Sequence, residues 1–212
     1  MFSLLYVDDE PGLLDIGKQF LEHGNHFSVE TLTSAPEALT ILGTRRYDAI
    51  ISDYQMPEMD GIEFLKRVRA SGNTVPFIIF TGRGREEIVI QALNEGADFY
   101  LQKGGDPKSQ FAELNHKIAQ AVNRRRAETE LKKSETRYRQ LVDLLPQTVF
   151  EIDSTLTITS INPVALKSFG YTREDLEKGV TVFSVFSSED HQRLEENIKK
   201  ILRGETTGAL EY

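Results

Sequence analysis

Short runs of apolar residues alternate with longer amphipathic stretches through roughly the first 120 residues of the chain. The runs have the composition of strands that are buried on both faces, and the stretches between them repeat apolar residues at helical spacing. The pattern predicts five strands, at residues 2–7, 28–32, 49–51, 77–80 and 99–101. It also predicts five helices, which begin near Pro11, Ser34, Ile62, Ile88 and Pro107.

Strands that alternate with helices form parallel sheets, because right-handed crossovers carry each helix across one face of the sheet. The predicted fold class of this region is therefore α/β, with a five-stranded doubly wound parallel sheet. All five strands then end along one edge of the sheet. Ligands bind along that edge in open sheets of this kind.

Polar residues stand at four of the five strand ends: Asp8 and Asp9 after the first strand, Asp53 after the third, Thr81 after the fourth and Lys103 after the fifth. A lone aspartate after a strand usually begins a turn or caps the next helix. Four such ends that converge on one crevice favour a binding site instead. Carboxylate oxygens without cysteine or histidine suit Mg²⁺, and a lysine and a hydroxyl suit phosphate oxygens.

Residues 1–122 resemble the response-regulator receiver domain of two-component signalling. The resemblance rests on Asp8-Asp9, on Asp53 followed by Pro57 and Gly61, on Thr81-Gly82, and on Tyr100 three residues before Lys103. It implies a flavodoxin-like sheet with strand order 2-1-3-4-5. It also implies a histidine kinase as the phosphodonor.

The resemblance further implies that Asp53 accepts the phosphoryl group. The implied magnesium ligands are Asp9, Asp53 and the backbone carbonyl of Gln55, with Asp8 acting through water. Lys103 would contact a phosphate oxygen as a point charge.

Thr81 and Tyr100 are the implied switch pair. A new dianion at Asp53 would attract the Thr81 hydroxyl, and Tyr100 would turn into the vacated space. Alternatively, Tyr100 simply packs at the edge of the sheet.

A helical segment without proline or glycine runs from Lys108 to Leu145, and residues 123–145 form a linker. Leu131, Tyr138 and Leu145 repeat every seven residues, which favours a coiled-coil homodimer through the 108–145 helix. The alternative is a charged linker without a partner. Three arginines at 124–126 suggest either acidic partners or a solvated helix face.

Residues 146–212 resemble the first part of an α+β PAS sensor domain. Two alternating runs around Ser154-Thr155 predict a hairpin. The family's segments Asn162-Pro163-x-Ala165 and Phe169-Gly170-Tyr171-Thr172 follow in order, and a long helix is predicted over 188–202. The third strand of a PAS sheet would begin near 208–212, so the chain is either a fragment or is completed elsewhere.

Composition narrows the possible partners. The net charge of -8 and the pI near 5.1 disfavour nucleic acid, and no apolar run is long enough to span a membrane. The absence of cysteine excludes a cysteine-linked flavin and suits a cytoplasmic protein. A surface position is expected for His191, the only candidate haem ligand in the PAS segment, so we expect no cofactor there.

The predicted function is phosphorelay signal transduction: a receiver modified on Asp53 that signals through the long helix to the PAS segment. The chain would not be an enzyme beyond self-dephosphorylation, and it carries no kinase catalytic domain. The alternative is a magnesium-dependent phosphatase or phosphotransferase with an aspartate nucleophile. That reaction would need a nearby acid, where Tyr54 and Gln55 stand instead. A transcription factor is disfavoured because no basic helix-turn-helix segment is present.

Overall fold

The computed structural model describes residues 1–24, 26–82 and 86–203, apart from the side chains of residues 199, 201 and 202. The chain divides into two compact units, Met1–Leu131 and Lys132–Tyr212. Of the helices in the described ranges, none combines the length and the apolar content that a bilayer crossing requires. The limits placed at residues 122 and 145 from the sequence remain a prediction.

The first unit is built on a five-stranded sheet. Its strands are β1 (Phe2–Val7), β2 (Phe27–Leu32), β3 (Ala49–Ser52), β4 (Phe77–Thr81) and β5 (Phe99–Gln102). Every neighbouring pair is parallel, and the order across the sheet is β2-β1-β3-β4-β5. The predicted doubly wound α/β sheet and its strand order are confirmed.

Five helices connect and follow these strands: α1 (Pro11–Glu22), α2 (Ala35–Leu42), α3 (Gly61–Ala70), α4 (Glu86–Asn94) and α5 (Pro107–Leu144). Capping side chains stand at the starts of α2 and α3. The Ser34 hydroxyl accepts a hydrogen bond from the Glu37 amide at 3.4 Å. Asp60 caps α3, and its carboxylate accepts the Ile62 and Glu63 amides at 3.0 and 2.8 Å.

The sheet separates two apolar layers. Alternate residues of β1 face opposite sides, so Leu5 and Val7 join the layer under α2 and α3, whereas Leu4 and Tyr6 join the layer under α1 and α5. Burying each large apolar side chain contributes about 1.5 to 3 kcal/mol. The two layers hold the strand ends, and the polar residues that follow them, in fixed positions.

The arginine triplet of α5 reaches the amino-terminal edge of the sheet. Arg124 pairs with Asp98, Arg125 with Thr74, and Arg126 with Asp48. These partners precede β5, β4 and β3 respectively. The arginine side chains are about half exposed to solvent. Their contacts nevertheless connect α5 to the residues that precede three of the strands.

The second unit contains an antiparallel hairpin and short helices. Its elements are β6 (Phe150–Ile152), β7 (Ile158–Ile161), α6 (Pro163–Phe169), α7 (Arg173–Glu177), a 3-10 helix (Val182–Val185) and α8 (His191–Leu202). The predicted hairpin is confirmed. The predicted helix over 188–202 begins later, at His191. The expected strand near 208–212 lies outside the described residues.

Asn162 organises the start of this unit. It is fully buried, and its side-chain oxygen accepts the Val149 and Ala165 amides, both at 3.0 Å. Its side-chain nitrogen donates to the carbonyls of Gln147 and Val142 at 2.9 and 3.2 Å. One side chain therefore joins the end of α5, the entry to β6 and the first turn of α6.

Candidate phosphorylation site

Three charged side chains meet where β1, β3 and β5 end. Lys103 Nζ lies 2.6 Å from Asp8 Oδ2 and 2.7 Å from Asp53 Oδ1. The parallel sheet explains the meeting, because it brings residues that are 95 and 50 positions apart to one edge. Asp8, Asp53 and Lys103 therefore form one cluster, as the sequence predicted for the sheet edge.

The backbone fixes Asp53 at its place in the cluster. The Asp53 amide donates to the Val7 carbonyl at 2.8 Å, which continues the sheet by one residue. The backbone amide of Gln55 donates a hydrogen bond to Asp53 Oδ2 at 2.6 Å. Gly61 packs directly against the backbone of Asp53, because a Cβ at position 61 would lie 2.2 Å from the Asp53 carbonyl oxygen. Asp53 is thus nearly buried, at 6% exposure, with its carboxylate held at both oxygens.

Burial and charge act against each other in this cluster. Burial raises the pKa of Asp8, and the hydrogen bond and charge of Lys103 only partly offset that effect. Burial by itself would lower the pKa of Lys103, but its hydrogen bonds to Asp53 and Asp8 raise the pKa above the ordinary value. The ammonium group is therefore charged at neutral pH and compensates two buried carboxylates.

Asp9 lies apart from that cluster. It is exposed and lines a cleft of about 440 Å³, together with Tyr54, Gln55, Met56, Pro57 and Asp60. Across residues 1–24, 26–82 and 86–203, no three acidic, histidine or cysteine side chains stand close enough to form a ready-made ligand group. Among the described residues, carboxylate and backbone carbonyl oxygens are the metal-binding atoms at this edge, and the exposed Asp9 carboxylate can turn toward its neighbours. The donor chemistry therefore fits Mg²⁺.

The expected switch residues lie in two neighbouring strands, β4 and β5. Thr81 closes β4 and is buried, at 1% exposure. Tyr100, in β5, is half-buried and packs against the apolar layer under α2 and α3. Burial, followed by the charge of Asp53, raises the pKa of the Tyr100 phenol. Their roles as a switch remain a prediction.

Comparison with known proteins decides the family. The family model of the response regulator receiver domain matches the sequence over residues 4–115, more than half of the chain. The chain belongs to this family. A PAS fold model also matches residues 142–211, so both sequence-based resemblances are confirmed.

Individual relatives agree with this receiver assignment. The chain is 33% identical over 147 residues to the response regulator Rre1 of Synechocystis, an alignment that covers 68% of this chain and 64% of the relative. It is 34% identical over 116 residues to the response regulator SaeR of Staphylococcus aureus, covering 55% and 50%. The chain therefore spans between half and two thirds of these curated relatives.

A solved structure shows the same receiver fold. A response regulator receiver domain from Clostridium thermocellum is similar to this chain with a TM-score of 0.54 and 30% identity. The alignment covers 60% of this chain and 98% of that structure.

Sequence reasoning missed Tyr6 as a member of the receiver site. Its hydroxyl donates to Asp8 Oδ2 at 3.3 Å, in a fully buried position. In the sequence, Tyr6 is one more residue of an apolar strand. A buried tyrosine hydroxyl usually finds a hydrogen-bond partner, and the aspartate two residues later, directly after the same strand, indicated which one.

Proposed function

We propose that this receiver accepts a phosphoryl group on Asp53 and passes its state through α5 to the PAS segment. The observation that carries the proposal is the Lys103 ammonium held between the carboxylates of Asp8 and Asp53. A buried lysine at this distance can neutralise the developing charge on a phosphoryl oxygen. The proposed donor is a histidine kinase.

Transfer would form one bond and break one. A carboxylate oxygen of Asp53 would form a bond to phosphorus, while the bond from phosphorus to the donor breaks and the donor keeps the electron pair. Mg²⁺, held by Asp9, Asp53 and the Gln55 carbonyl with Asp8 acting through water, would supply the positive charge that phosphoryl transfer needs. Lys103 would stabilise an oxygen of the transferred group, and Thr81 and Tyr100 would respond to the new charge.

The relay to α5 has support at the amino-terminal edge of the sheet. Strand β5 carries Tyr100, and Lys103 follows it directly. The residue before β5, Asp98, pairs with Arg124 of α5 and accepts the Phe77 amide at 2.9 Å. A shift of β5 at the phosphorylation site would therefore reach α5 through one short strand and one ion pair.

The alternative activity, an aspartate-nucleophile phosphatase or phosphotransferase, has less support. Such an enzyme needs a second carboxylate that acts as an acid and base close to the nucleophile. Tyr54 and Gln55 follow Asp53 instead, and the backbone amide of Gln55 holds the Asp53 carboxylate. We therefore propose no enzymatic turnover beyond self-dephosphorylation. Nucleic acid remains a disfavoured partner, and the proposed compartment is the cytoplasm, where phosphodonors made from ATP are available.

A small phosphodonor tests the acceptor role without the partner kinase. The purified chain is incubated with acetyl phosphate and Mg²⁺, and its intact mass is measured. One added phosphoryl group, absent when a chelator removes the metal, supports the proposal. An unchanged mass under all conditions would refute it.

Magnesium should stabilise the folded chain, because a metal that binds the folded state and not the unfolded state shifts the folding equilibrium toward the folded state. At ten times the dissociation constant, Mg²⁺ should stabilise the fold by about 1.4 kcal/mol. The melting temperature with and without Mg²⁺ measures this effect. Asp9→Ala should remove it, whereas Asp15→Ala, the same charge change at an exposed position of α1, should retain it. Equal responses of the two variants would argue against Asp9 as a ligand.

Helix α5 should pair with a second copy of itself. Leu131 and Tyr138 of the predicted heptad are 62% and 58% exposed, whereas Leu145, its third residue, follows the end of α5. Phosphorylation at Asp53 should change the dimer equilibrium by about 1 to 3 kcal/mol, the usual size of an allosteric coupling. Sedimentation equilibrium with and without phosphodonor measures the change.

Charge substitutions test that face of α5. Leu131→Glu should weaken the dimer, whereas Thr136→Glu, an exposed position off the heptad face, should leave it unchanged. A monomer at every concentration, with and without phosphodonor, would show that α5 is only a spacer.

A further inference from the structure

Tyr6 lies at a position of β1 where an aliphatic side chain would also fit the apolar layer. Its ring is fully buried in the apolar layer under α1 and α5, beside Phe111. A buried tyrosine hydroxyl needs a hydrogen-bond partner. The partner in this structure is Asp8 Oδ2, at 3.3 Å.

Three donors then surround the Asp8 carboxylate. Its Oδ2 accepts from Tyr6 and from Lys103 Nζ, the latter at 2.6 Å, and its Oδ1 accepts the Glu10 amide at 3.1 Å. Donors at both oxygens fix the plane of the carboxylate. Without the tyrosine hydroxyl, only Lys103 would hold Oδ2, and the group could rotate further toward the ammonium.

Helix α1 is shaped to admit the tyrosine ring. Gly17 is buried within α1, and a Cβ there would lie 2.5 Å from Tyr6 Cε1 and 3.3 Å from Phe111 Cε1. Glycine inside a helix is less stable than alanine. At Gly12, in the same helix, a Cβ would meet nothing within 4 Å. The missing Cβ at Gly17 therefore leaves the space that the Tyr6 ring occupies, with Phe111 next to it.

We propose that Tyr6 is a positioning residue of the phosphorylation site, with Gly17 as its seat. The tyrosine hydroxyl orients the Asp8 carboxylate, which would hold the Mg²⁺ that phosphorylation requires through a water molecule. The proposal rests on the proposed function, because it assigns Tyr6 to the metal of that reaction. If Tyr6 only filled the core, its hydroxyl would have no effect on the metal.

Tyr6→Phe keeps the ring and removes the hydroxyl. Its dissociation constant for Mg²⁺, measured by calorimetry, should rise about tenfold, as is typical when the partner of a metal-site residue is lost. Tyr47→Phe is the matched control, since Tyr47 donates to the Glu30 carboxylate at 2.6 Å away from the site. It should bind Mg²⁺ like the wild type. At saturating Mg²⁺, Tyr6→Phe should regain the wild-type rate of phosphorylation by acetyl phosphate.

A second pair of variants covers the case in which Tyr6→Phe fails to fold. Gly17→Ala should displace the ring and also weaken Mg²⁺ binding, whereas Gly12→Ala should not. Equal Mg²⁺ affinity in wild type and Tyr6→Phe, or an equal loss in Tyr47→Phe, would overturn the role of Tyr6. Wild-type chain that neither binds Mg²⁺ nor takes up phosphoryl would overturn the proposed function, and this inference with it.

Discussion

Asp53→Asn should abolish the uptake of a phosphoryl group from acetyl phosphate. The substitution preserves the shape of the side chain but removes the carboxylate nucleophile, and the amide cannot form the acyl phosphate. Intact mass spectrometry should show no modified protein, at phosphodonor and Mg²⁺ concentrations that modify the wild type fully.

Asp60→Asn is the matched control for this loss. Asp60 lines the cleft that Asp9 also lines, and asparagine caps a helix about as well as aspartate does. The Asp60 variant should therefore take up phosphoryl like the wild type. Persistent labelling of Asp53→Asn would show that another residue is the acceptor.

Lys103→Met should strongly destabilise the fold at neutral pH. The side chain of Lys103 is 15% exposed, and the side chains of Asp8 and Asp53 are 1% and 8% exposed. Removal of the cation would leave two buried carboxylates without compensation, which costs about 3 kcal/mol. Chemical denaturation measures the loss. Lys66→Met breaks only the half-exposed pair with Glu95, so it should cost less than about 1 kcal/mol.

The loss in Lys103→Met should depend on pH with a definite sign. Burial already raises the pKa of Asp8, and without Lys103 that pKa should rise further. A carboxyl whose pKa is raised on folding favours the folded state below its unfolded pKa, and that contribution is lost as pH rises through the folded pKa. Acidification should therefore reduce the difference in the free energy of unfolding between Lys103→Met and the wild type. A difference that is constant from acid to neutral pH would contradict this electrostatic account.

The sheet and the residues at its edge were predictable from local patterns. Apolar runs such as Phe77 to Phe80 have the composition of strands buried on both faces, and alternation with helices makes the sheet parallel. Parallel topology then places Asp8, Asp53 and Lys103 at one edge from the order of the elements alone. The distances of Lys103 Nζ from the two carboxylates follow from side-chain packing, which no local pattern encodes.

Other parts of the chain depend on contacts that are distant in sequence. The partners of the arginine triplet lie in loops that are distant in sequence, and Asp48 is 78 residues from Arg126. The sequence therefore indicated the charge of the triplet but not its partners. Tyr6 and Gly17 fit their strand and helix separately, and only the packing of α1 on β1 joins them. Helix α7 is five residues long and carries no apolar period, although the box of Thr172 and Asp175 marks its start.

Borohydride reduction tests the central claim, phosphorylation of Asp53, most directly. The reagent converts an acyl phosphate to an alcohol, so a phosphorylated aspartate becomes homoserine, and peptide mapping by mass spectrometry locates it. The account predicts homoserine at position 53 alone, only after treatment with phosphodonor and Mg²⁺. Homoserine at another aspartate, or at none although the intact mass has increased, would contradict it.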